Sequence, residues 1–303
     1  MFIPSLLVTQ VYYPYSEEKN TTAKILQKVA EDGFYEAIEI DCHYEEEERK
    51  RIAELVKENG WMVTQWLTSL IDKEQLDLSS LNETVRNNSV EVITRMFSKA
   101  QNMGVHNVAF ISGPSPGDDL RQEALEKFYK SLVEICRQAE MYELNVLIEP
   151  LDYQAHKRKA LGTTDETIEL IKRVREEFSN IYFAFDTAHA ALNDENLSQS
   201  VVKALPWMDQ IHLSNAVLDS NHDLYGDHHM AVGEPGFLNK EVIREILQLI
   251  EKNKQDENHK LRVSVEVKGS NSQELHESEA IIRKVLTSGI DFTREGKKCG
   301  SDR

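Results

Sequence analysis

The sequence contains few cysteines, glycines and prolines. Its 303 residues include 3 Cys, 13 Gly and 7 Pro. Cys42, Cys136 and Cys299 are an odd number without the spacing of a metal-binding motif, so we expect reduced thiols in a cytoplasmic protein. Because no low-complexity stretch interrupts the chain, its length favours one large hydrophobic core.

Long apolar runs and an excess of basic residues are also missing. No run approaches the roughly 20 apolar residues that a membrane span requires. The start, Met1-Phe-Ile-Pro-Ser, has neither the basic nor the long apolar region of a secretory signal. With 35 Lys and Arg against 52 Asp and Glu, the net charge is −17. We therefore expect no membrane partner and disfavour broad nucleic-acid binding, although a local basic patch remains compatible with this charge.

Strand-like and helix-like segments alternate eight times along the chain. The predicted strands are 2–8, 34–40, 61–67, 105–111, 145–149, 181–186, 210–212 and 262–266. The predicted helices are 20–31, 45–58, 82–102, 122–141, 164–177, 197–205, 240–252 and 272–286. Strict alternation requires right-handed crossovers and a parallel sheet. Eight repeats predict an α/β single-domain fold, a (β/α)₈ barrel over residues 1–290, followed by a polar tail over 291–303.

A doubly wound open sheet is the competing architecture. Such sheets usually carry a glycine-rich phosphate loop after the first strand when they bind nucleotides. The segment after Val8 has no such loop. The barrel is therefore the favoured interpretation.

Four acidic or imidazole residues end the last four strand-like segments: Glu149, Asp186, His212 and Glu266. If the strands are parallel neighbours, these side chains converge at one end of the sheet. Three carboxylates and an imidazole would repel and desolvate one another there unless a divalent cation held them. One strand-end acid is often only a helix cap or an ion-pair partner, but four in succession predict a metal-dependent enzyme.

The motifs around these strand ends resemble those of the xylose isomerase-like barrel superfamily, which contains sugar isomerases, ketose epimerases, inosose dehydratases and endonuclease IV. The resemblance covers essentially the whole chain, and its specific motifs lie in the second half. They are Leu147-Ile-Glu-Pro-Leu, Asp186-Thr-Ala-His189, Ile211-His-Leu-Ser-Asn, Asp227-His-His229 with Gly233-Glu-Pro-Gly236, and Val265-Glu266.

The similarity to ketose epimerases implies one divalent ion, Mn²⁺, Mg²⁺ or Co²⁺ with Zn²⁺ as an alternative, held by Glu149, Asp186, His212 and Glu266. It also implies that Glu149 and Glu266 move the substrate proton and that His189 contacts a substrate oxygen. These epimerases carry an arginine shortly after the metal-binding histidine, where this chain has Val217 and Leu218. The resemblance therefore does not identify the substrate.

The similarity to endonuclease IV is less complete. Its three-zinc site would use the same four positions with His189, Asp227 and His229, and two further histidines on earlier strands. Here the third strand ends in Gln65-Trp-Leu-Thr and the fourth in Ile111-Ser-Gly. His43 could supply one missing histidine but not two, so a phosphodiesterase is a less favoured alternative.

Several further residues are candidate substrate contacts. Asp227 and His229 lie on a predicted loop over 215–237, where they could bind substrate or a second metal or be ordinary loop residues. Gly233-Glu-Pro-Gly236 is a turn that could hold this loop as a lid. The run His156-Lys-Arg-Lys159 is either a solvated basic surface or a site for a carboxylate or phosphate. His156, Trp66 and Tyr12 could contact a sugar or could instead pack in the protein.

These features predict a metal-dependent isomerase or epimerase of a sugar, sugar acid or polyol that acts through an enediolate. Glu149 would serve as base and Glu266 as its partner. A dehydratase of the inosose type is the nearest alternative, because loss of a β-hydroxyl starts from the same enediolate. A catalytically inactive binding barrel would be expected to lose ligands, and all four are present. The sequence leaves a homo-oligomeric state open.

Overall fold

The structure is a computed structural model that describes residues 2–256, 259–269 and 275–300, with side chains described only for 279–293 of the last range. It contains nine strands among these residues. They are β1 (Phe2–Leu7), β2 (Ala37–Ile40), β3 (Met62–Trp66), β4 (Asn107–Ile111), β5 (Asn145–Glu149), β6 (Ile181–Asp186), β7 (Met208–Val217), β8 (Gly226–Met230) and β9 (Leu261–Glu266).

Eight of the strands form a closed parallel barrel. The hydrogen-bonded order is β6-β5-β4-β3-β2-β1-β9-β7, and pairing of β6 with β7 closes the ring. The register aligns Ile111 with Glu149 and Asp186 with His212, so their side chains emerge at the same end of the barrel. The single-domain (β/α)₈ prediction is confirmed.

Helices surround the barrel and connect its strands. They are α1 (Val8–Val11), α2 (Thr22–Asp32), α3 (Glu46–Asn59), α4 (Thr68–Glu74), α5 (Glu83–Thr94), α6 (Phe97–Asn102), α7 (Asp118–Glu140), α8 (Thr164–Val174), α9 (Thr187–Leu192), α10 (Leu197–Ala204), α11 (Lys240–Asn253) and α12 (Leu275–Gly300); a short 3₁₀ helix spans Tyr15–Glu17. No helix within the described ranges has the length and apolar character of a membrane span.

Local sequence signals fix several helix ends. The side chain of Thr163 accepts a hydrogen bond from the Glu166 N–H, and the Glu166 carboxylate accepts one from the Thr163 N–H. This reciprocal capping box begins α8. Gly60 ends α3 in the left-handed conformation, with φ +65°, which costs glycine little because it has no Cβ.

The structure corrects three of the predicted boundaries. The helix predicted over 82–102 is broken at Arg95-Met96 into α5 and α6, so one continuous helix was wrong. The predicted loop over 215–237 instead extends β7 to Val217 and forms β8, which pairs antiparallel with β7. The last helix continues beyond residue 286 to Gly300. The division into a barrel and a polar tail after residue 290 stays a prediction.

Candidate active site

The four predicted metal ligands meet at the carboxyl ends of β5, β6, β7 and β9. Each of Glu149, Asp186, His212 and Glu266 is buried and offers one ligand atom, and these atoms all lie within 4.8 Å of one another. The Nδ1 atom of His212 lies 3.3 Å from Oε1 of Glu149 and 3.2 Å from Oε2 of Glu266. Because metal–ligand bonds are roughly 2.0–2.6 Å, this spacing fits four ligands around one ion.

A carboxylate from another strand determines which nitrogen of His212 faces the cluster. The Nε2 atom of His212 lies 2.8 Å from Oε2 of Glu39, on β2. Glu39 is fully buried and also accepts hydrogen bonds from Trp66 Nε1 at 2.8 Å and Ser5 Oγ at 2.9 Å. The opposite nitrogen, Nδ1, is buried without a hydrogen-bond partner. A metal-binding histidine likewise has one ring nitrogen held by a carboxylate and the other directed at the remaining ligands. His212 has this arrangement.

Asp186 combines a local structural role with its place in the cluster. Its Oδ1 accepts hydrogen bonds from the N–H groups of Ala188 at 2.8 Å and His189 at 3.0 Å, so it caps α9. Its Oδ2 accepts a hydrogen bond from the hydroxyl of Ser214, which also lies 2.9 Å from Oε2 of Glu266. The helix cap thus fixes one oxygen and directs the other toward His212.

The acidic cluster perturbs the pKa values of its own members. Burial, with Glu266 and Glu149 nearby, raises the pKa of Asp186 to about 7. Burial opposes a charged His212, but the charges of Glu39 and Glu266 raise its pKa well above the ordinary value. Without a metal ion the cluster therefore retains protons, which a divalent cation would displace.

A second polar network lies beside the cluster. The Nδ1 atom of His189 is 3.2 Å from Oδ2 of the fully buried Asp152, and its Nε2 is 3.7 Å from Oδ2 of Asp227. Burial opposes a charged His189, but Asp186 and the hydrogen bond with Asp152 raise its pKa to about 9. The Asp227 oxygen also lies 3.1 Å from Nε2 of His229, which is 3.6 Å from Oε1 of Glu266. These contacts place two imidazoles against the candidate metal ligands.

A cavity of about 460 Å³ opens above both groups. Glu149, His212, Glu266, His189, His229 and Trp66 all line it, so the structure brings these predicted site residues together. The Trp66 ring also lies against His212, with ring centroids 5.0 Å apart. The cavity is large enough for a small molecule and places it next to the candidate metal ligands.

Three of the candidate contacts occupy other positions. Asp227 is 1% exposed and lies behind His189 and His229, outside the cavity lining. His156 is exposed, is absent from the cavity lining and packs against His228 on β8, with ring centroids 4.7 Å apart. Tyr12 is buried in the core, and the neighbouring Tyr13 lines the cavity instead. Direct substrate contact by Asp227, His156 or Tyr12 therefore finds no support here.

Sequence reasoning missed two buried acids of the site, Glu39 and Asp152. Glu39 had a visible signal, since it is the one charge within the apolar run Ala37-Ile-Glu-Ile40. Asp152 follows the Glu149-Pro-Leu segment in a loop, where an aspartate is ordinary. The sequence also contains Lys268 two residues after Glu266, and its side chain lines the cavity.

Comparison with protein families accounts for this combination of fold and site. A family model described as a xylose isomerase-like TIM barrel matches residues 26–283. The chain belongs to this family. No curated protein sequence gives a significant match to the chain.

Several solved structures of epimerases and related proteins have the same overall fold. A D-tagatose 3-epimerase-like protein has a TM-score of 0.72 at 20% identity, covering 97% of this chain and 99% of its own. D-psicose 3-epimerase from Clostridium cellulolyticum H10 gives 0.68 at 16% identity over 97% and 98%. The IOLI protein, whose structure contains a zinc atom, gives 0.69 at 15% identity over 97% and 98%. At these identities the likeness establishes the fold.

Proposed function

We propose that the protein is a metal-dependent isomerase or epimerase of a hydroxy-carbonyl sugar or sugar derivative. The observation that carries this proposal is the placement of two carboxylates from non-adjacent strands. Glu149 on β5 and Glu266 on β9 each lie within 3.3 Å of the same His212 nitrogen, with β6 and β7 between them in the barrel. They therefore approach a common point from different sides.

Each residue has a role that follows from its position. A divalent ion bound by the four ligands would polarise a substrate carbonyl and favour loss of the neighbouring proton. Glu149 would accept the α-proton and Glu266 would return one from the other face, which inverts the carbon. His189, held by Asp152, would orient a substrate oxygen. Return of the proton to the adjacent carbon would instead give aldose–ketose isomerisation.

The ligand chemistry supports Mn²⁺, Mg²⁺ or Co²⁺, with Zn²⁺ as the alternative. Three of the four ligands are carboxylates and none is a thiolate, which suits ions that prefer oxygen. The structural relatives point in the same direction: they include a psicose 3-epimerase and a tagatose 3-epimerase-like protein, and the structure of another holds zinc. A dehydratase would use the same first step, so product analysis distinguishes the two.

The decisive experiment is incorporation of deuterium from heavy water into a panel of ketoses and inososes, with and without Mn²⁺. Glu149→Gln and Glu266→Gln should each reduce exchange roughly 100-fold or more, because an amide cannot accept the proton. Glu48→Gln is the matched control, since Glu48 is also buried but accepts backbone hydrogen bonds from Asn20 and Ala23 outside the cavity. The Glu48→Gln variant should incorporate deuterium at close to the wild-type rate.

Phosphodiester hydrolysis is tested in parallel. An endonuclease IV-type reaction needs two or three metal ions, so the metal content per chain and cleavage of abasic DNA are measured beside the exchange. Robust metal-dependent cleavage of DNA with no exchange on any sugar would contradict the proposed function. Exchange with one ion per chain and no cleavage would support it.

A further inference from the structure

A second group of metal-binding side chains lies just beyond the end of β2. Asp41, Cys42 and His43 each offer one ligand atom, and these atoms all lie within 4.8 Å of one another. None of the three belongs to the four-ligand site, whose members come from β5, β6, β7 and β9. The cysteines of the chain are too far apart in sequence to form a cysteine motif, but Cys42 stands between two ligands of other types. The Asp41–His43 group therefore offers one carboxylate, one thiol and one imidazole.

A bend of the chain brings these consecutive side chains together. Successive side chains of a strand point to opposite faces, so three neighbours on a continuing strand could not share one ion. Strand β2 ends at Ile40, and the chain bends at Cys42. Two buried side chains hold this bend: the Tyr44 hydroxyl accepts a hydrogen bond from the Asp41 N–H at 3.0 Å, and Gln65 Nε2 donates to the Asp41 carbonyl at 3.1 Å. The ligand atoms are thus close together before any ion binds.

Two buried oxygen atoms beside the Asp41–His43 group lack a hydrogen-bond partner among the described residues. Gln65 is 1% exposed, and while Nε2 of its amide contacts Asp41, Oε1 of the same amide is buried and unpaired. The Oγ1 atom of Thr68 is likewise buried and unpaired, and Thr68 precedes Ser69, whose hydroxyl donates to Asp41. Buried polar atoms are nearly always paired, and an ion or its bound water is one of the few explanations for an exception. These two oxygens therefore indicate a ligand beside Asp41.

The carboxylate and the thiol can both accept a cation. The Oδ1 atom of Asp41 accepts hydrogen bonds from the Cys42 N–H at 2.6 Å and from the Ser69 hydroxyl, and Oδ2 takes part in neither bond. Burial, together with the charge of Asp41, raises the pKa of the Cys42 thiol, so the thiol is protonated when no cation is bound. A divalent ion would displace this proton, because the thiolate is the form that binds metals. His43 is exposed, so an ion can reach the group from solvent.

We propose that Asp41, Cys42 and His43 bind a second divalent cation, Zn²⁺ or an ion of similar preference such as Co²⁺, separate from the ion of the four-ligand site. A thiolate and an imidazole favour these ions over Mg²⁺ and Mn²⁺. Three protein ligands leave the fourth tetrahedral position for water or a substrate oxygen. Asp41 and Ser69 line the cavity, so this ion would lie at the cavity edge. Its binding is independent of the reaction that the four-ligand site performs.

Cobalt spectroscopy of the full chain under reducing conditions tests for the thiolate ligand. Co²⁺ bound to a thiolate gives a near-ultraviolet charge-transfer band, whereas Co²⁺ bound only to carboxylates and imidazoles does not. We expect this band in the wild-type protein and its loss in Cys42→Ala. Cys136→Ala/Cys299→Ala is the matched control, because it leaves Cys42 as the only cysteine and should keep the band. Absence of the band from the wild type in excess Co²⁺ would overturn the proposal, as would a band that survives Cys42→Ala.

A variant of the exposed histidine tests the same site without changing a buried side chain. His43→Gln should raise the Kd for Co²⁺, followed through the charge-transfer band, at least roughly tenfold, because one of three ligands is lost. His222→Gln is the matched control, since His222 is also exposed but lies in the turn between β7 and β8. It should leave this Kd unchanged. A Kd unaffected by His43→Gln would show that the thiolate binds Co²⁺ without the imidazole, which would overturn the three-ligand site.

Metal content separates this site from the four-ligand site. Equilibrium dialysis against Zn²⁺ should give two ions per wild-type chain but one in Cys42→Ala and one in Glu149→Gln/Glu266→Gln. With Mn²⁺ the wild-type chain should hold one ion, because a thiolate site disfavours Mn²⁺. The cobalt band should persist in Glu149→Gln/Glu266→Gln, so the second site is measured even if no sugar exchanges deuterium. Loss of the band in that variant, or equal Zn²⁺ content in the wild type and Cys42→Ala, would overturn the proposal.

Discussion

Single buried acids determine what the site histidines can do. Glu39 occupies Nε2 of His212 at 2.8 Å and leaves Nδ1 facing the candidate metal site. Asp152 holds Nδ1 of His189 at 3.2 Å and leaves Nε2 facing Asp227. A carboxylate behind an imidazole fixes the orientation of the ring and raises its basicity. The same pairing thus serves a candidate ligand in one case and a candidate substrate contact in the other.

Metal affinity should fall as the pH is lowered through about 7. Asp186, whose pKa is raised to about 7, must lose its proton to bind the ion, and His212 must also be neutral. Protons therefore compete with the metal, and each binding event should release protons near neutral pH. Calorimetry of Mn²⁺ binding in buffers with different ionisation enthalpies measures this release. An affinity that stays constant between pH 6 and 8 would contradict it.

Replacing Asp152 with Asn should lower the pKa of His189. The hydrogen bond with Asp152 is one of the interactions that raise this pKa to about 9, so an uncharged partner removes part of the effect. His189 would then be protonated over a narrower, more acidic range. NMR titration of the imidazole in the metal-free protein measures the shift, with Asp72→Asn as control because Asp72 is exposed and pairs with Lys159. A pKa unchanged by Asp152→Asn would remove the positioning role assigned to Asp152.

At the scale of secondary structure, one asparagine holds the segment that directly follows β8, the strand that contains His229. The Asn215 amide, at 0% exposure on β7, donates to the carbonyl oxygens of Ala231 at 2.7 Å and Gly233 at 2.8 Å. Its oxygen accepts from the Leu238 N–H at 2.7 Å. A Cβ at Gly236 would come within 2.2 Å of the Asn215 oxygen, so glycine is needed for this close approach. Three hydrogen bonds from one side chain thus hold the whole segment over 231–238.

Asn215→Ala should loosen this segment and weaken substrate binding more than it reduces turnover. The Ala231 and Gly233 carbonyls lose their buried donor, so amide hydrogen exchange over 226–238 should rise and KM should increase several-fold. Asn239→Ala is the control, because Asn239 caps the adjacent α11 through the Glu241 and Val242 N–H groups. It should reduce the stability of α11 by about 1 kcal/mol without changing exchange near His229. Unchanged exchange over 226–238 in Asn215→Ala would show that other contacts hold the segment.

At the scale of the whole molecule, the barrel interior contains polar side chains of two kinds, those of the candidate site and those that pair with one another. The carboxyl end holds the candidate site, whereas a fully buried arginine lies among the strands below it. Arg262 is 1% exposed, forms an ion pair with Asp209 at 2.6 Å and donates from Nε to Gln210 at 3.2 Å. Here paired polar groups, instead of apolar side chains, fill the barrel. We expect this network to stabilise the fold.

Arg262→Met should lower the free energy of unfolding by about 3–5 kcal/mol, because it leaves Asp209 with an uncompensated charge at a largely buried position. The double variant Arg262→Met/Asp209→Asn should lose less of the free energy of unfolding, because the uncompensated charge of Asp209 is then absent. Denaturant unfolding measures both variants, and Mn²⁺ affinity of the folded protein should change little. A loss below about 1 kcal/mol in Arg262→Met would show that the Arg262–Asp209 pair does not stabilise the fold in this way.

The sequence by itself determined the barrel and the convergence of its four strand-end residues. Both depend on local information: helix and strand periodicity repeats eight times, and the rule that parallel strands share one carboxyl end places Glu149, Asp186, His212 and Glu266 together. The family resemblance of the sequence also indicated His189 and His229, and the strand-end position of Trp66 indicated that residue. Such features need no knowledge of which side chains touch.

Only the tertiary structure decided which residues complete the site and which lie outside it. Glu39 reaches His212 from 173 positions away, and that distance in sequence gives no local pattern. The alternating sides of a loop likewise separate Lys157 and Lys159, which face the cavity, from His156 and Arg158, which face solvent. The β7–β8 hairpin pairs segments that are near one another in sequence, as in Val217 with Gly226, but a loop-like composition conceals this pairing. Contacts between distant segments, rather than residue types, fix these positions.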